Sequence, residues 1–159
     1  MAELIIAVFL LQGLLMTFDE FYFHHRRGLP RWERIGHPVD TLSVIACLSM
    51  TLSHRTPVAE VIFWSLAVIS CIVITKDEFV HAKLCDGGEH WVHSVLFGLH
   101  PVVLIGAFLA WQAELRAILV IETTAAVLFC VYQIIFWNFI WKQRQNQPDL
   151  DFQTVQSQR

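Results

Sequence analysis

The chain of 159 residues is too apolar for an ordinary soluble domain, because 55% of its residues are hydrophobic and only 16% are charged. Its mean hydropathy of +0.52 predicts an integral membrane protein. The net charge of -3 gives no reason to expect a nucleic-acid partner, so the first predicted partners are the lipids of the bilayer.

Five segments are apolar enough for membrane-spanning helices: residues 2–18, 37–52, 57–75, 91–111 and 116–141. The second segment is short. The first opens MAEL with no Lys or Arg, and no small-residue cleavage site follows, so we expect a retained helix rather than a signal peptide. The sequence therefore predicts an all-α integral membrane fold with five transmembrane helices.

The distribution of Lys and Arg predicts the orientation, because cytoplasmic loops collect positive charge. Nine of these residues follow spans one, three or five, and two lie on the other side. The nine are Arg26, Arg27, Arg31, Arg34, Lys76, Lys83, Lys142, Arg144 and Arg159, and the two are Arg55 and Arg116. We expect the amino terminus outside and the carboxyl terminus inside an inner or plasma membrane.

Two stretches of the chain repeat one pattern. FDEFYFHHRRGLPRWERIGHP follows span one, and KDEFVHAKLCDGGEHWVHSVLFGLHP follows span three. Corresponding residues are separated by nearly constant offsets: 58 from Glu20 to Glu78, 57 from His24 to His81, 56 from Glu33 to Glu89 and 56 from His37 to His93. The pattern predicts two helical hairpins of the same direction, at about residues 1–55 and 57–111, which form a four-helix bundle from spans one to four. A closing helix at 116–141 would complete a single domain, 1–142, and the polar tail 143–159 is predicted to be disordered.

The repeated residues form carboxylate–imidazole pairs, since residues three or four apart share one face of a helix. The predicted metal ligands are Glu20, His24, Glu33, His37, Glu78, His81, Glu89 and His93. His90 and His100 are reserve ligands, and Asp40 is predicted to accept a hydrogen bond from a ligand. A lone polar residue at a membrane boundary is usually only solvated, and that interpretation is preferred for Asp19, His25, His54 and Asp86.

The pairs predict a site for two metal ions at the cytoplasmic end of the bundle. Soluble di-iron carboxylate proteins take a Glu from each of two helices and Glu-x-x-His from each of the other two. Carboxylate and imidazole ligands suit iron, manganese or zinc, and the number of carboxylates favours iron. Cys47, Cys71 and Cys130 are interpreted as small hydrophobic residues, and Cys85 is not counted among the ligands.

Residues 19–101 resemble the membrane histidine-box di-iron oxidoreductases, the fatty acid desaturases and hydroxylases. In this sequence His90-x-x-His93 approximates one histidine box, and Glu replaces much of the rest. The Glu and His arrangement is also similar to that of di-iron carboxylate oxidases, which use Glu-x-x-His. The resemblance implies an enzyme that uses dioxygen on a lipid-like or other hydrophobic small molecule at the cytoplasmic face.

Two other classes of function stay open. A zinc-dependent hydrolase of membrane lipids would need three protein ligands and a base. A metal transporter or a haem electron carrier would not be an enzyme. Transport would require polar residues across the bilayer, and apart from His100, Glu122 and Gln133 the polar residues stop near one side. Since the chain has no nucleotide-binding motif, an oxidoreductase would also need a separate electron-donor protein.

Overall fold

A computed structural model describes residues 1–141, apart from the side chains at positions 77, 80, 83 and 84. Lys142, Arg144, Arg159 and the predicted disordered tail lie outside the described residues. Residues 1–141 are helical almost throughout and contain no strand. The helices are α1 (Ala2–Phe18), a π-helical turn (Asp19–His24), α2 (His25–Arg27), α3 (Arg31–Thr51), α4 (Pro57–Val73), a 3₁₀ turn (Ile74–Asp77), α5 (Glu78–Leu84), α6 (Gly87–Gln112), α7 (Arg116–Ile135) and a second π-helical turn (Phe136–Ile140).

Four continuous helical stretches are long and apolar enough to cross a membrane: Ala2–Arg27, Pro57–Lys76, Gly87–Gln112 and Arg116–Ile140. The second predicted span, residues 37–52, lies within α3, which is not among these four in the described chain. Helix α3 begins with a charged turn and also contains Asp40, so its hydropathy is lower. The all-helical prediction is confirmed, and four candidate spans agree with a membrane protein.

Local signals define where the helices begin and end. Thr56 caps α4, since its Oγ1 accepts a hydrogen bond from the backbone N–H of Ala59 at 3.1 Å. Asp86 caps α6 by accepting from the N–H groups of Gly88 and Glu89, both at 2.9 Å. The chain leaves α2 at Gly28, whose φ of 77° is a backbone conformation that favours glycine.

The helices alternate in direction, so the end of α1, the start of α3, the end of α4, the start of α6 and the end of α7 meet at one end of the bundle. Helix α3 packs mainly against α4 and α7, and α1 packs mainly against α6. Helix α7 is therefore an integral member of the bundle and not only a helix that closes four others. The apolar core lies in the opposite half and includes Leu48, Phe63, Leu104 and Leu119, each almost completely buried.

Candidate metal centre

Buried charged and titratable side chains are concentrated at the end of the bundle where the repeated stretches meet. Seven of them are at most 5% exposed: Asp19, Glu20, His24, Glu33, His81, Glu89 and His93. Burying a charge is costly unless it is paired or binds a cation. The cluster therefore needs a compensating interaction for most of its members.

The π-helical turn at the end of α1 brings Asp19 and His24 together. A π-helix places residues five apart on one face, whereas an α-helix places residues three or four apart there. Oδ2 of Asp19 lies 3.2 Å from Nε2 of His24, and Oε2 of Glu20 lies 3.3 Å from Nδ1 of the same ring. The predicted pair of Glu20 and His24 thus forms, but the second ring nitrogen faces Asp19.

Helix α6 supplies two further groups to the same position. Nε2 of His93 lies 3.1 and 3.0 Å from the two carboxylate oxygens of Asp19. Oε1 of Glu89 lies 3.7 Å from Nε2 of His24. Asp19, His24, Glu89 and His93 are all buried, and each offers one ligand atom within 4.8 Å of those of the others.

Arg27 provides part of the positive charge. Its Nε and Nη2 donate to Oε1 of Glu89 at 3.2 and 2.8 Å, and Nη2 also donates to Oε2 of Glu33 at 2.9 Å. Oε1 of Glu33 faces Nε2 of His81 at 3.8 Å. Arg27 therefore fixes two carboxylates from different helices and leaves one oxygen of Glu33 directed at the cluster.

Several buried polar atoms of the cluster have no hydrogen bond of acceptable geometry within residues 1–141. They are Nε2 of His24, Nε2 of His37 and Oε1 of Glu33. Nearly all buried polar atoms in proteins find a partner, so such atoms mark the place of a water or an ion. Imidazole nitrogens and carboxylate oxygens are also the ligands that iron, manganese and zinc accept. The donor set fits a metal cation.

His81, Cys85 and His93 form a second potential ligand group, with their ligand atoms within 4.8 Å of one another. Sγ of Cys85 lies 3.9 Å from Nδ1 of His93, and the rings of His81 and His93 lie 4.0 Å apart. Burial, with a further contribution from Glu89, raises the pKa of the Cys85 thiol to about 12. The two groups share His93, so its two ring nitrogens face different sides of the cluster.

Histidine 37 adjoins both groups. It is half-buried, and its ring lies 4.9 Å from that of His24 and 6.2 Å from that of His81. The four imidazoles of His24, His37, His81 and His93 thus form one continuous patch.

Other predicted residues lie at the edge of this cluster or away from it. Glu78 and His90 contact each other at 3.7 Å, and both side chains are more than 40% exposed. Nζ of Lys76 donates hydrogen bonds to both carboxylate oxygens of Asp40, each at 2.7 Å. His100 is buried, and its Nε2 lies 3.0 Å from Oγ of Ser70. That hydroxyl is in turn 2.7 Å from Oγ of Ser43.

Four residues outside the predicted ligand set lie in the cluster: Asp19, Arg27, Cys85 and Trp137. The sequence pattern favours a solvated Asp19, an Arg27 that sets topology and a Cys85 that is not a ligand, and it assigns Trp137 no role at the site. Trp137 is 1% exposed, and its Nε1 donates to Oε1 of Glu20 at 2.5 Å. The repeated Asp-Glu-Phe, at 19–21 and 77–79, was the available signal for Asp19.

The cluster opens on a cavity of about 270 Å³ between α1, α3, α6 and α7. Asp19, Glu20, His24 and His93 line one part of it, and apolar side chains line most of the remainder. The walls include Val44, Leu96, Phe97, Val103, Leu104 and Phe129. A small apolar molecule in this cavity would reach the buried carboxylates and imidazoles.

Comparison with protein-family models, with curated proteins and with solved structures found no match for this chain. The arrangement of the described residues is therefore the basis for a functional proposal.

Proposed function

We propose that this protein is a membrane-embedded oxidoreductase that binds two metal ions, iron in the preferred form, and acts with dioxygen on a hydrophobic molecule. One observation carries the proposal. Asp19, His24, Glu89 and His93 converge, buried, where an apolar cavity meets one end of the helical bundle. Polar groups buried within a membrane bundle are costly and tend to mark function.

The first ion would be held by those four residues. Glu20 and Trp137 would orient His24, because Glu20 lies at Nδ1 of that ring and receives the indole N–H on its other oxygen. Carboxylates placed in this way behind a ligating imidazole fix its tautomer and ring orientation. Glu20 is thus assigned to support a ligand rather than to bind the metal directly.

The second ion would be held by Glu33, His37 and His81, which adjoin the first group through His24 and His93. Arg27 would position Glu33 and Glu89. The half-exposed pair of Glu78 and His90 would lie at the rim, and His100 would pack against Ser70 without binding metal.

Two bound irons supply the redox chemistry, and the chain supplies fixed ligands and a dry pocket. The apolar cavity would admit the substrate from the bilayer and hold one of its carbon atoms beside the cluster. Insertion of one oxygen atom into a C–H bond consumes dioxygen, two electrons and two protons, and it releases water. The electrons would come from a separate donor protein, and the basic residues around α2 and the start of α3 would place the site on the cytoplasmic side.

The direct test uses iron-loaded protein in lipid nanodiscs with a chemical reductant and ¹⁸O₂. We expect reductant-dependent consumption of dioxygen and one labelled oxygen atom in an oxidised hydrophobic molecule, detected by mass spectrometry. The matched control is His93→Gln, which should abolish both signals. Equal dioxygen consumption by the wild-type protein and by His93→Gln would contradict the proposal.

A zinc-dependent lipid hydrolase is the second candidate, and a specific observation favours it. His81, Cys85 and His93 offer two imidazoles and one thiol, which is a zinc ligand set in which a fourth position can carry water. Hydrolysis would proceed without dioxygen in zinc-loaded protein and would be lost in Cys85→Ser. An anaerobic ester or amide hydrolysis assay with both proteins separates the two functions.

A further inference from the structure

The cavity beside the cluster extends towards the middle of the bundle, where two polar residues line it. Gln12 lies on α1, and Glu122 lies on α7. Eight residues separate Gln12 from Glu20, which corresponds to about 12 Å along a helix axis. The cavity therefore extends from the candidate metal ligands to Gln12 and Glu122, and apolar side chains make up most of its lining.

Several other polar side chains in the middle of the bundle are paired with one another. Oγ1 of Thr41 donates to Oε1 of Gln133 at 2.9 Å, and Ser43, Ser70 and His100 form a continuous chain of contacts. Those contacts join neighbouring helices by hydrogen bonds and require no ligand. A polar group that serves only the fold is therefore expected to have a hydrogen-bond partner within the bundle.

Gln12 departs from that expectation. Its Oε1 is buried and has no hydrogen-bond partner in the part of the chain that the structure describes. Glu122 is half-buried and lines the same cavity from α7. An acceptor left without a donor in an apolar setting is costly, and a ligand that brings a donor would remove the cost.

We propose that Gln12 and Glu122 bind a hydroxyl group of the substrate, with the apolar part of the molecule lying along the cavity towards Asp19 and His93. The hydroxyl would donate to Oε1 of Gln12 and would also contact the carboxyl of Glu122. The substrate is thus an alcohol with a single apolar body. The position of oxidation rests on the proposed oxidoreductase function: the carbon about 12 Å from the hydroxyl lies at the metal centre and is the one oxidised.

The dimensions restrict the alcohol further. A volume of about 270 Å³ is slightly below the range of about 300–1,000 Å³ that is usual for small-molecule sites. A single-chain or compact alcohol fits, and the surrounding bilayer can deliver it.

The test uses two photoreactive probes, an alkan-1-ol with a diazirine on its chain and the matching alkane without the hydroxyl. Both are applied to metal-free protein in phosphatidylcholine nanodiscs, and labelled peptides are mapped by mass spectrometry. We expect the alcohol to label the cavity segment that contains Phe129 about tenfold more than the alkane, as one well-placed hydrogen bond would give. Gln12→Leu and Glu122→Leu should each reduce this ratio, and the double variant should bring it close to one.

Gln112→Leu is the matched control, because it makes the same exchange at an exposed position at the other end of the bundle, and its ratio should equal that of the wild-type protein. Equal labelling of the wild-type protein by the two probes would overturn the proposal even if a variant failed to fold. Stronger labelling by a matching alkylamine than by the alcohol would also overturn it. Since the assay contains no metal, its failure would leave the proposed metal centre intact, and loss of metal binding would leave the labelling ratio unchanged.

Discussion

The two ends of the bundle treat charged side chains in opposite ways. At the end opposite the buried cluster of acids and imidazoles, Arg55 and Glu60 form an ion pair whose side chains are 44% and 35% exposed. There the indole N–H of Trp111 and the guanidinium of Arg116 donate to the backbone carbonyls of Ser53 and Leu52. At the other end, acids and imidazoles are buried against each other. Within residues 1–141, only the second end therefore contains buried charged groups that need a compensating interaction.

The two ends also differ in the free energy of their charged groups. An exposed ion pair such as Arg55 and Glu60 contributes about 0–1 kcal/mol, whereas burying each charge costs several kcal/mol before pairing. A bundle can end its helices at little cost, as the first end does. The second end retains a costly set of buried carboxylates and imidazoles that could hold a metal ion, and such groups within a membrane bundle tend to mark function.

The largest effect is expected from Arg27→Gln in the metal-free protein. This exchange leaves the carboxylates of Glu33 and Glu89 buried without their cation, and breaking such a pair costs about 3 kcal/mol. The free energy of unfolding, measured by titration with a denaturing detergent, should fall by that amount. Arg26→Gln is the control, because Arg26 is exposed, and it should leave the value nearly unchanged. If both variants unfold alike, the buried end does not depend on Arg27.

Asp19→Asn should weaken metal binding by at least about 100-fold, since loss of a partner outside the ligand shell alone costs about 10–100-fold. Asn keeps the shape of the side chain but removes the charge that faces both His24 and His93. Chelator competition measures the affinity. Glu60→Gln makes the corresponding exchange at the opposite end and should not change it. If Asp19→Asn bound metal with unaltered affinity, Asp19 would not be a metal ligand.

Trp137→Phe should weaken metal binding by about 10–100-fold while the fold is retained, because Glu20 loses its second hydrogen bond and orients His24 less firmly. The same chelator competition provides the measurement. Trp91→Phe is the control, since Trp91 is 65% exposed at the same end of the bundle. Should the two variants bind metal equally, the indole hydrogen bond has no part in positioning the ligand.

His100→Gln should have the smallest effect. Its imidazole contacts Ser70, so the substitution should lower the free energy of unfolding by about 1 kcal/mol and leave the metal content unchanged. His93→Gln, the same exchange two turns earlier on α6, should lose the metal. If His100→Gln lost metal, the metal site would have to include His100, deeper in the bundle than the proposed ligands.

Helical periodicity and the repeated spacing were sufficient to place most of the cluster. Glu20, His24, Glu89 and His93 were selected because residues four apart share one face of an α-helix, and all four are buried at one end of the bundle. The all-helical fold and its apolar helices also follow from the sequence. These features depend on local pattern, which the sequence displays directly.

The rest depends on geometry that no local pattern displays. Asp19 reaches His24 because the helix widens into a π turn, and a sequence read with a period of 3.6 assigns Asp19 to another face. Arg27 at the end of α2 donates to Glu89 in the first turn of α6, and a contact between residues so far apart in the sequence requires tertiary packing. His100 was placed on the same face as His93, but its partner Ser70 comes from α4.

Elemental analysis of detergent-purified protein, combined with an optical spectrum, tests the metal centre most directly. We expect about two iron ions per chain, no haem absorption band, and loss of the iron in His93→Gln. One or two zinc ions would favour the hydrolase. Protein that binds no transition metal, even after incubation with iron or zinc, would contradict the central claim.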